Sequence, residues 1–366
     1  MKADITPLPL SVPRDDCLSI EVTTRCNGQC RHCFAHAGVS EYVSLPHGVV
    51  KNIISEGYQL NYRQLHLTGG EPLLWDGLFE TLDFAFDIGY QKITMNTNGR
   101  LLTEKIVRQL AAYEALSISV SLEGPQALHE RIRGVGTYRQ TVRGIDNALD
   151  AGIDLAIFSV VGKSLLEILP HFAYTLFKRF PGIQYLTLIQ LIAATQNGFD
   201  LANELLEPQN FIELVQTVCI LNLCGLDTRI KNSPLAWVIS KQIDMPWVLP
   251  AFPLYRAGSL IVMADGKINL SHSGKNSFGK YTPGMIQQVL SSDEYHHAVI
   301  PDQSICPACK YQGLCRKNGM SRPSEANKDL QPEIPYCRRV LDLKPARYTV
   351  SNMEKEDIID SGEIDF

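Results

Sequence analysis

Six short apolar runs, each followed by a segment of helical period, constrain this chain more than any other feature. The runs are Leu18–Thr23, Leu65–Thr68, Lys92–Asn96, Leu116–Ser121, Leu155–Val161 and Tyr185–Leu191. Each is short, largely apolar on both faces and bounded by Gly, Asn or Thr, as a buried parallel strand should be. The segments near His47–Leu60, Leu78–Ile88, Thr103–Tyr113, Tyr138–Ala151, Leu165–Phe177 and Gln209–Leu221 read as helices. Thr103 suits an N-cap, and Gly89 and Gly152 suit stops. Six β–α repeats predict an α/β fold: a parallel barrel, complete or partial, with its chemistry at the carboxyl ends of the strands. A Rossmann sheet is the competing topology, but no glycine fingerprint follows the first strand.

Directly after that strand come Cys26, Cys30 and Cys33, spaced C-x3-C-x2-C. Three thiols on one loop can hold three irons of a [4Fe–4S] cube. No fourth cysteine follows nearby, so one iron would stay open to bind and reduce a substrate. A zinc loop is the alternative, although zinc sites favour paired C-x2-C hairpins with two further ligands. The second strand ends in Leu67-Thr-Gly-Gly-Glu-Pro72. Gly69 and Gly70 offer bare backbone for close approach, and the Glu71 carboxylate can accept hydrogen bonds from an ammonium group.

The 366 residues are 45% hydrophobic and 20% charged, enough for a large catalytic domain and a smaller second unit. A net charge of −5 with no basic run gives no sign of a nucleic-acid partner. No stretch approaches a membrane span, and the N-terminus lacks a signal-peptide core. Ten cysteines without a secretion signal fit a reducing compartment, the cytoplasm. Beyond Leu223 the texture changes. Residues 224–258 are rich in Pro and aromatics, including Pro234, Trp237, Pro246 and Trp247, and read as an irregular connection. Asp265-Gly266 marks a hairpin. Ser351–Phe366 carries six acids and one lysine and reads as a solvated tail.

C-x3-C-x2-C followed by Gly69-Gly70-Glu71 resembles the radical S-adenosylmethionine (SAM) superfamily, from Cys17 to about Val340. The resemblance implies that Cys26, Cys30 and Cys33 hold a catalytic [4Fe–4S] cluster whose open iron is chelated by SAM. It implies His32 beside adenine, Gly69, Gly70 and Glu71 at the methionine amine, Asn98 and Ser121 near the ribose, Arg133 near the SAM carboxylate, and Val161 in the adenine pocket. Asn98 and Ser121 also read as ordinary turn and capping residues. The implied chemistry is reductive cleavage of SAM to a 5′-deoxyadenosyl radical that abstracts hydrogen from a substrate.

Ser119-Val-Ser-Leu-Glu-Gly-Pro125 and His129-Glu-Arg-Ile-Arg-Gly134 look like the subgroup with a C-terminal SPASM or twitch domain, with Glu123 where members usually have Asp. That resemblance makes Cys306, Cys309, Cys315 and Cys337 the ligands of a second, auxiliary [4Fe–4S] cluster; zinc also fits this spacing. An inner auxiliary cluster is not expected, because Tyr255, Ser271 and Gly319 stand at its cysteine positions. The implied division is an N-terminal extension at 1–16, a partial (β/α)6 TIM-like core at 17–223, a connection at 224–258, a SPASM/twitch-like domain at 259–345 and an acidic tail at 346–366.

Cys17, Cys219 and Cys224 match no ligand pattern and read as buried free thiols. His272, Asp265 and Glu123 are weak acid–base candidates. The resemblance points to a peptide maturase that oxidises or crosslinks a ribosomally made substrate, fed by a one-electron donor such as flavodoxin or ferredoxin. Only about two dozen residues precede the cysteine loop, too few for a leader-binding domain, so leader recognition would fall to a separate protein, the auxiliary domain or the acidic tail. The alternative is a small-molecule enzyme acting on haem, tetrapyrroles, sugars or alcohols.

Overall fold

The computed structural model describes residues 17–33, 35, 37–38, 41–192, 201–251, 256–272, 277–299, 309–311 and 334–343. Strict alternation in the runs CLSIE, QLHLT, KITMNT and LSISVS gives each strand two unlike faces. These are β1 (Cys17–Glu21), β2 (Gln64–Thr68), β3 (Lys92–Thr97) and β4 (Leu116–Ser121). They continue in parallel through β5 (Asp154–Val161), β6 (Leu186–Gln190) and β7 (Thr228–Ile230). Leu18, Leu65, Ile93 and Leu116 lie in register, as do Ile20, Leu67, Met95 and Ile118. All eight are at most 2% exposed. Each is worth roughly 1.5–3 kcal/mol buried, so this apolar layer, packed on the helices, carries the stability of the sheet.

The opposite face differs from the sequence expectation of strands apolar on both sides. Ser19, His66, Thr94 and Ser117 form one polar row, and Asn96 and Ser119 belong to the next. A parallel strand is apolar twice only where both faces are covered, and here the inward face lines an open cavity.

The helices of the repeats are α1 (His47–Gln59), α2 (Leu78–Asp87), α3 (Glu104–Leu110), a short α4 (Gln126–Arg133), α5 (Thr137–Asp150), α6 (Lys163–Arg179) and α7 (Pro208–Leu223). The Thr103 hydroxyl accepts from the Ile106 amide, and Gly89 and Gly152 take positive φ just past α2 and α5, as the capping rules anticipate. The six β–α units form a partial TIM-like barrel.

Residues 224–258 are not the irregular connection the composition suggested. They contain β7 and α8 (Pro234–Gln242), with Pro234 at the first helical turn, where a missing N–H costs nothing. The Asp265-Gly266 hairpin is present, but its first strand, β8 (Leu260–Val262), pairs in parallel with β1. With β9 (Ile268–Asn269) antiparallel to β8, the sheet order becomes β7-β6-β5-β4-β3-β2-β1-β8-β9. Helices α9 (Met285–Leu290), α10 (Asp293–Val299) and α11 (Ile334–Asp342) follow. Glu56 of α1 ties α9 to the barrel by accepting the Gly284 and Gln287 amides.

One helix contact bears directly on the cavity. At Gly144 of α5 a Cβ would stand 2.0 Å from the Gly99 carbonyl oxygen, and Thr141 donates to the carbonyl of Asn98 at 2.9 Å. Ala is ordinarily better than Gly inside a helix by about 1 kcal/mol. Gly144→Ala should instead destabilise the protein by about 1–3 kcal/mol in denaturant melts, because α5 must move off the 97–99 loop.

Candidate functional site: a cysteine loop over a polar barrel mouth

The cysteine loop leaves the carboxyl end of β1 and is clamped by the loop that follows β2. The Gly70 amide donates to the Thr23 carbonyl at 2.7 Å, and the Glu71 amide to the Arg25 carbonyl at 2.9 Å. A Cβ on Gly69 would lie 2.5 Å from the Thr23 oxygen, and one on Gly70 2.4 Å from the Arg25 oxygen. Both glycines are therefore required for this backbone-to-backbone approach. On the other side the Arg31 amide donates to the Ile132 carbonyl at 2.8 Å, and Arg100 donates to the carbonyl of Asn27.

A buried carboxylate fixes the loop from behind. Glu123 Oε1 accepts from Arg133 Nε at 2.8 Å and Nη2 at 2.6 Å, and lies 3.1 Å from His32 Nε2. Its Oε2 accepts the Val160 amide at 2.8 Å. Burial alone would raise this carboxyl, but Arg133 and His32 hold it well below the usual carboxylate range. The remaining Arg133 nitrogen, Nη1, is 3.7 Å from Cys30 Sγ. Behind the neighbouring wall, Glu71 accepts from the Leu73 amide, the Thr97 hydroxyl and the Asn98 amide. Burial pushes its carboxyl up in spite of these donors.

Cys26, Cys30 and Cys33 line one cavity of about 270 Å³ at the carboxyl ends of the strands. Burial pushes the Cys26 thiol up to about 11 and raises Cys30 as well, against the pull of the Gly28 amide and Arg133 respectively. His129, on the same wall, is driven down to about 3 by burial and then by Arg133. It is neutral, and its Nδ1 accepts the Glu123 amide at 3.2 Å.

Of the residues singled out in the sequence, His32, Gly69, Gly70, Asn98, Ser121, Arg133 and His272 line this cavity with the three cysteines. Two sit elsewhere. Glu71 lies behind the wall with its oxygens taken by backbone and Thr97, and Val161 is fully buried while Val160 and Phe158 face the cavity. The one-residue difference is strand alternation. Asp265 pairs with Lys267 at the hairpin turn, and Glu123 serves the ion pair just described. Cys219 is buried and donates to the Met245 carbonyl, whereas Cys224 is exposed at the end of α7, not buried. Cys306 and Cys315 lie outside the described residues; Cys309 and Cys337 are half-buried. Sequence reasoning missed His66, Asn96, His129 and Lys231, which also line the cavity. The first two stand at alternate positions of β2 and β3, so strand period could have found them.

The loop fits an iron–sulfur cluster. A Cβ on Gly28 would sit 3.7 Å from Cys30 Sγ and 3.8 Å from Cys26 Sγ, so the space between these sulfurs is kept open by a missing side chain. The Gly28 amide approaches Cys26 Sγ at 3.4 Å and Asn98 Nδ2 approaches it at 3.9 Å, donors that suit thiolate sulfur. Because the Glu123 carboxylate holds the buried Arg133, Glu123→Gln should lower unfolding free energy by about 3–5 kcal/mol in denaturant titrations.

Residues 20–167 match the radical SAM superfamily. Over 159 residues the chain is 30% identical to mycofactocin maturase MftC of Mycolicibacterium smegmatis, covering 43% of this chain and 40% of that protein. It is 35% identical over 154 residues to the AdoMet-dependent heme synthase of Methanosarcina barkeri, covering 40% and 43%. The chain thus spans about two fifths of the length of these curated relatives. Native anSMEcpe with bound AdoMet superposes with a TM-score of 0.64 at 16% identity, over 88% of this chain and 94% of that one. Streptococcus suis SuiB bound to precursor peptide SuiA gives 0.65 at 15% identity, over 87% and 74%. At these identities the likeness to solved structures is one of fold. The likeness to the radical SAM superfamily is thus one of residues 20–167 of this chain.

Proposed function

We propose that this chain is a radical SAM enzyme that abstracts hydrogen from a ribosomally made peptide, which is then oxidised or crosslinked. The observation that carries the reading is the convergence of Cys26, Cys30, Cys33, Gly69 and Gly70 on one cavity at the carboxyl ends of parallel strands. When bound, a [4Fe–4S] cluster on the three thiolates and SAM beside it supply a 5′-deoxyadenosyl radical. The protein's own residues hold and orient. Gly69 and Gly70 give the methionine end close access to backbone, and Asn98 and Ser121 offer polar groups for the ribose. His32, fixed through Nε2, presents its ring for adenine, with Val160 in place of Val161 on the wall. Arg133 spends its fork on Glu123 and keeps Nη1 for the cluster side. Glu71 braces the 97–98 loop and does not itself face the amine.

The finer assignments belong to the same proposal. Cys306, Cys309, Cys315 and Cys337 would hold an auxiliary [4Fe–4S] cluster in a SPASM/twitch-like part at 259–345, after the core at 17–223 and the connection at 224–258. A flavodoxin or ferredoxin would deliver electrons, a separate protein could present a leader, and the cytoplasm is the compartment. No described helix is long and apolar enough to cross a membrane. The peptide reading is supported by similarity to a maturase and to the fold of SuiB, bound to a precursor peptide in its structure. Similarity to a heme synthase supports the small-molecule alternative.

Anaerobically reconstituted protein given SAM and dithionite should release 5′-deoxyadenosine, and Cys30→Ala should release none. Undiminished release by Cys30→Ala would reject the assignment. Cys315→Ala should still cleave SAM while its iron content falls from about eight to about four atoms per chain. An unchanged iron count would reject the auxiliary cluster.

A further inference from the structure

The chain carries a net charge of −5, yet residues 131–143 hold four arginines and no Asp or Glu. This stretch ends α4, turns and begins α5. Two of its arginines have carboxylate partners: Arg131 meets Glu204 at 3.0 Å, and Arg133 meets Glu123 at 2.6 Å. Arg139 and Arg143 are exposed one helical turn apart on α5, and among the described residues no carboxylate pairs with either. Between them in sequence, Gln140 accepts from Arg100 Nε at 2.6 Å, and Arg100 also donates to the Asn27 carbonyl of the cysteine loop. Both acceptors are neutral, so they leave the Arg100 charge in place. The nearest acids on the two helices are Glu130, which accepts from Gln126, and Asp146, which pairs with Arg179.

The turn between α4 and α5 projects a valine. Val135 is 93% exposed, and its neighbours Gly134 and Gly136 take φ of 104° and 79°. A Cβ on Gly136 would meet nothing within 4 Å, and one on Gly134 only Thr137 at 3.9 Å. These glycines therefore serve the path of the backbone and not close packing. The Thr137 hydroxyl closes the turn on the Gly134 carbonyl at 2.6 Å. A single exposed valine is ordinary. One fixed beside unpaired arginines has the anatomy of an interface, an apolar centre in an Arg-rich surround.

The same turn adjoins the cysteine loop. The Ile132 carbonyl accepts the Arg31 amide at 2.8 Å. Arg133, two residues before Val135, places Nη1 3.7 Å from Cys30 Sγ. One side chain thus leads from the exposed turn to a candidate cluster sulfur.

We propose that the Val135 turn, with Arg100, Arg139 and Arg143, is the docking surface for a small acidic protein that delivers one electron to the cluster. It rests on the function proposed above only for the destination of that electron. The carrier loses one electron and the cluster gains it; no bond forms or breaks. Carboxylates of the carrier meet the guanidinium forks, and the apolar edge of its cofactor site meets Val135. An acidic partner is repelled by the chain as a whole, so the local arginine field decides where it lands.

The test is calorimetric titration of the anaerobically reconstituted full chain with oxidised flavodoxin, an acidic one-electron carrier, at low salt. The double variant Arg139→Glu, Arg143→Glu should weaken binding at least about tenfold, and added salt should weaken binding to the unaltered chain. Val135→Asp should weaken it about tenfold. The double variant Arg139→Lys, Arg143→Lys should keep most of the binding, which separates lost charge from lost folding. Undiminished binding after charge reversal, salt-independent binding, or tighter binding of a short single-stranded oligonucleotide would each overturn the surface. Release of 5′-deoxyadenosine driven by dithionite, which needs no docking, is recorded on the same samples and should be unchanged in all these variants. Charge-dependent flavodoxin binding without any such release sinks the radical SAM reading alone. Release with charge-independent flavodoxin binding sinks the docking surface alone.

Discussion

The carboxylate of Glu123 is the point on which the candidate site depends. It receives two Arg133 nitrogens, His32 and the Val160 amide, and so joins the cysteine loop, the end of α4 and strand β5 at one buried pair of oxygens. A buried ion pair recovers its desolvation cost only when its remaining hydrogen-bonding positions are filled. Here both oxygens are filled, and the ionised carboxylate is held in place. Arg133 then has one nitrogen left, and it points at Cys30. The same anchor turns His32 by its Nε2, so loop position and ring orientation are set together.

Around that anchor the sheet separates stability from chemistry. Its outward residues, such as Ile20, Leu67 and Met95, pack against helices and supply the burial energy. Its inward residues, such as His66, Asn96 and Ser121, are polar and face the cavity. The glycines after β2 join these layers, because only bare backbone there lets the second loop hydrogen-bond to the first. The three described carboxylates behind the cavity wall, Glu21, Glu71 and Glu123, each have donors assigned to them.

Features carried by local pattern were legible in the sequence. The six strands and their helices followed from apolar period and capping residues, and the cysteine loop from its spacing. What required three dimensions was hidden. Val160 and Val161 differ by one residue, so which of them faces the cavity depends on register. Glu21 and His272 meet across 251 residues, a separation that no local signal spans. The Pro-rich texture of 224–258 hid β7 and α8, because Pro234 starts a helix there and does not break one. Missing β7 also meant missing Lys231, which follows its last residue. The hairpin at Asp265-Gly266 was plain, but its parallel pairing with β1 rests on tertiary contacts alone.

The central claim is that three thiolates of one loop hold a cluster with an iron open to SAM. Electron–nuclear double resonance on the anaerobically reduced protein, with SAM labelled with ¹⁵N at its amine and ¹⁷O at its carboxylate, tests this most directly. The account predicts hyperfine coupling from both labels and a changed cluster signal when SAM is added. An unperturbed spectrum without coupling to either label, or purified protein holding zinc in place of iron and sulfide, would contradict it.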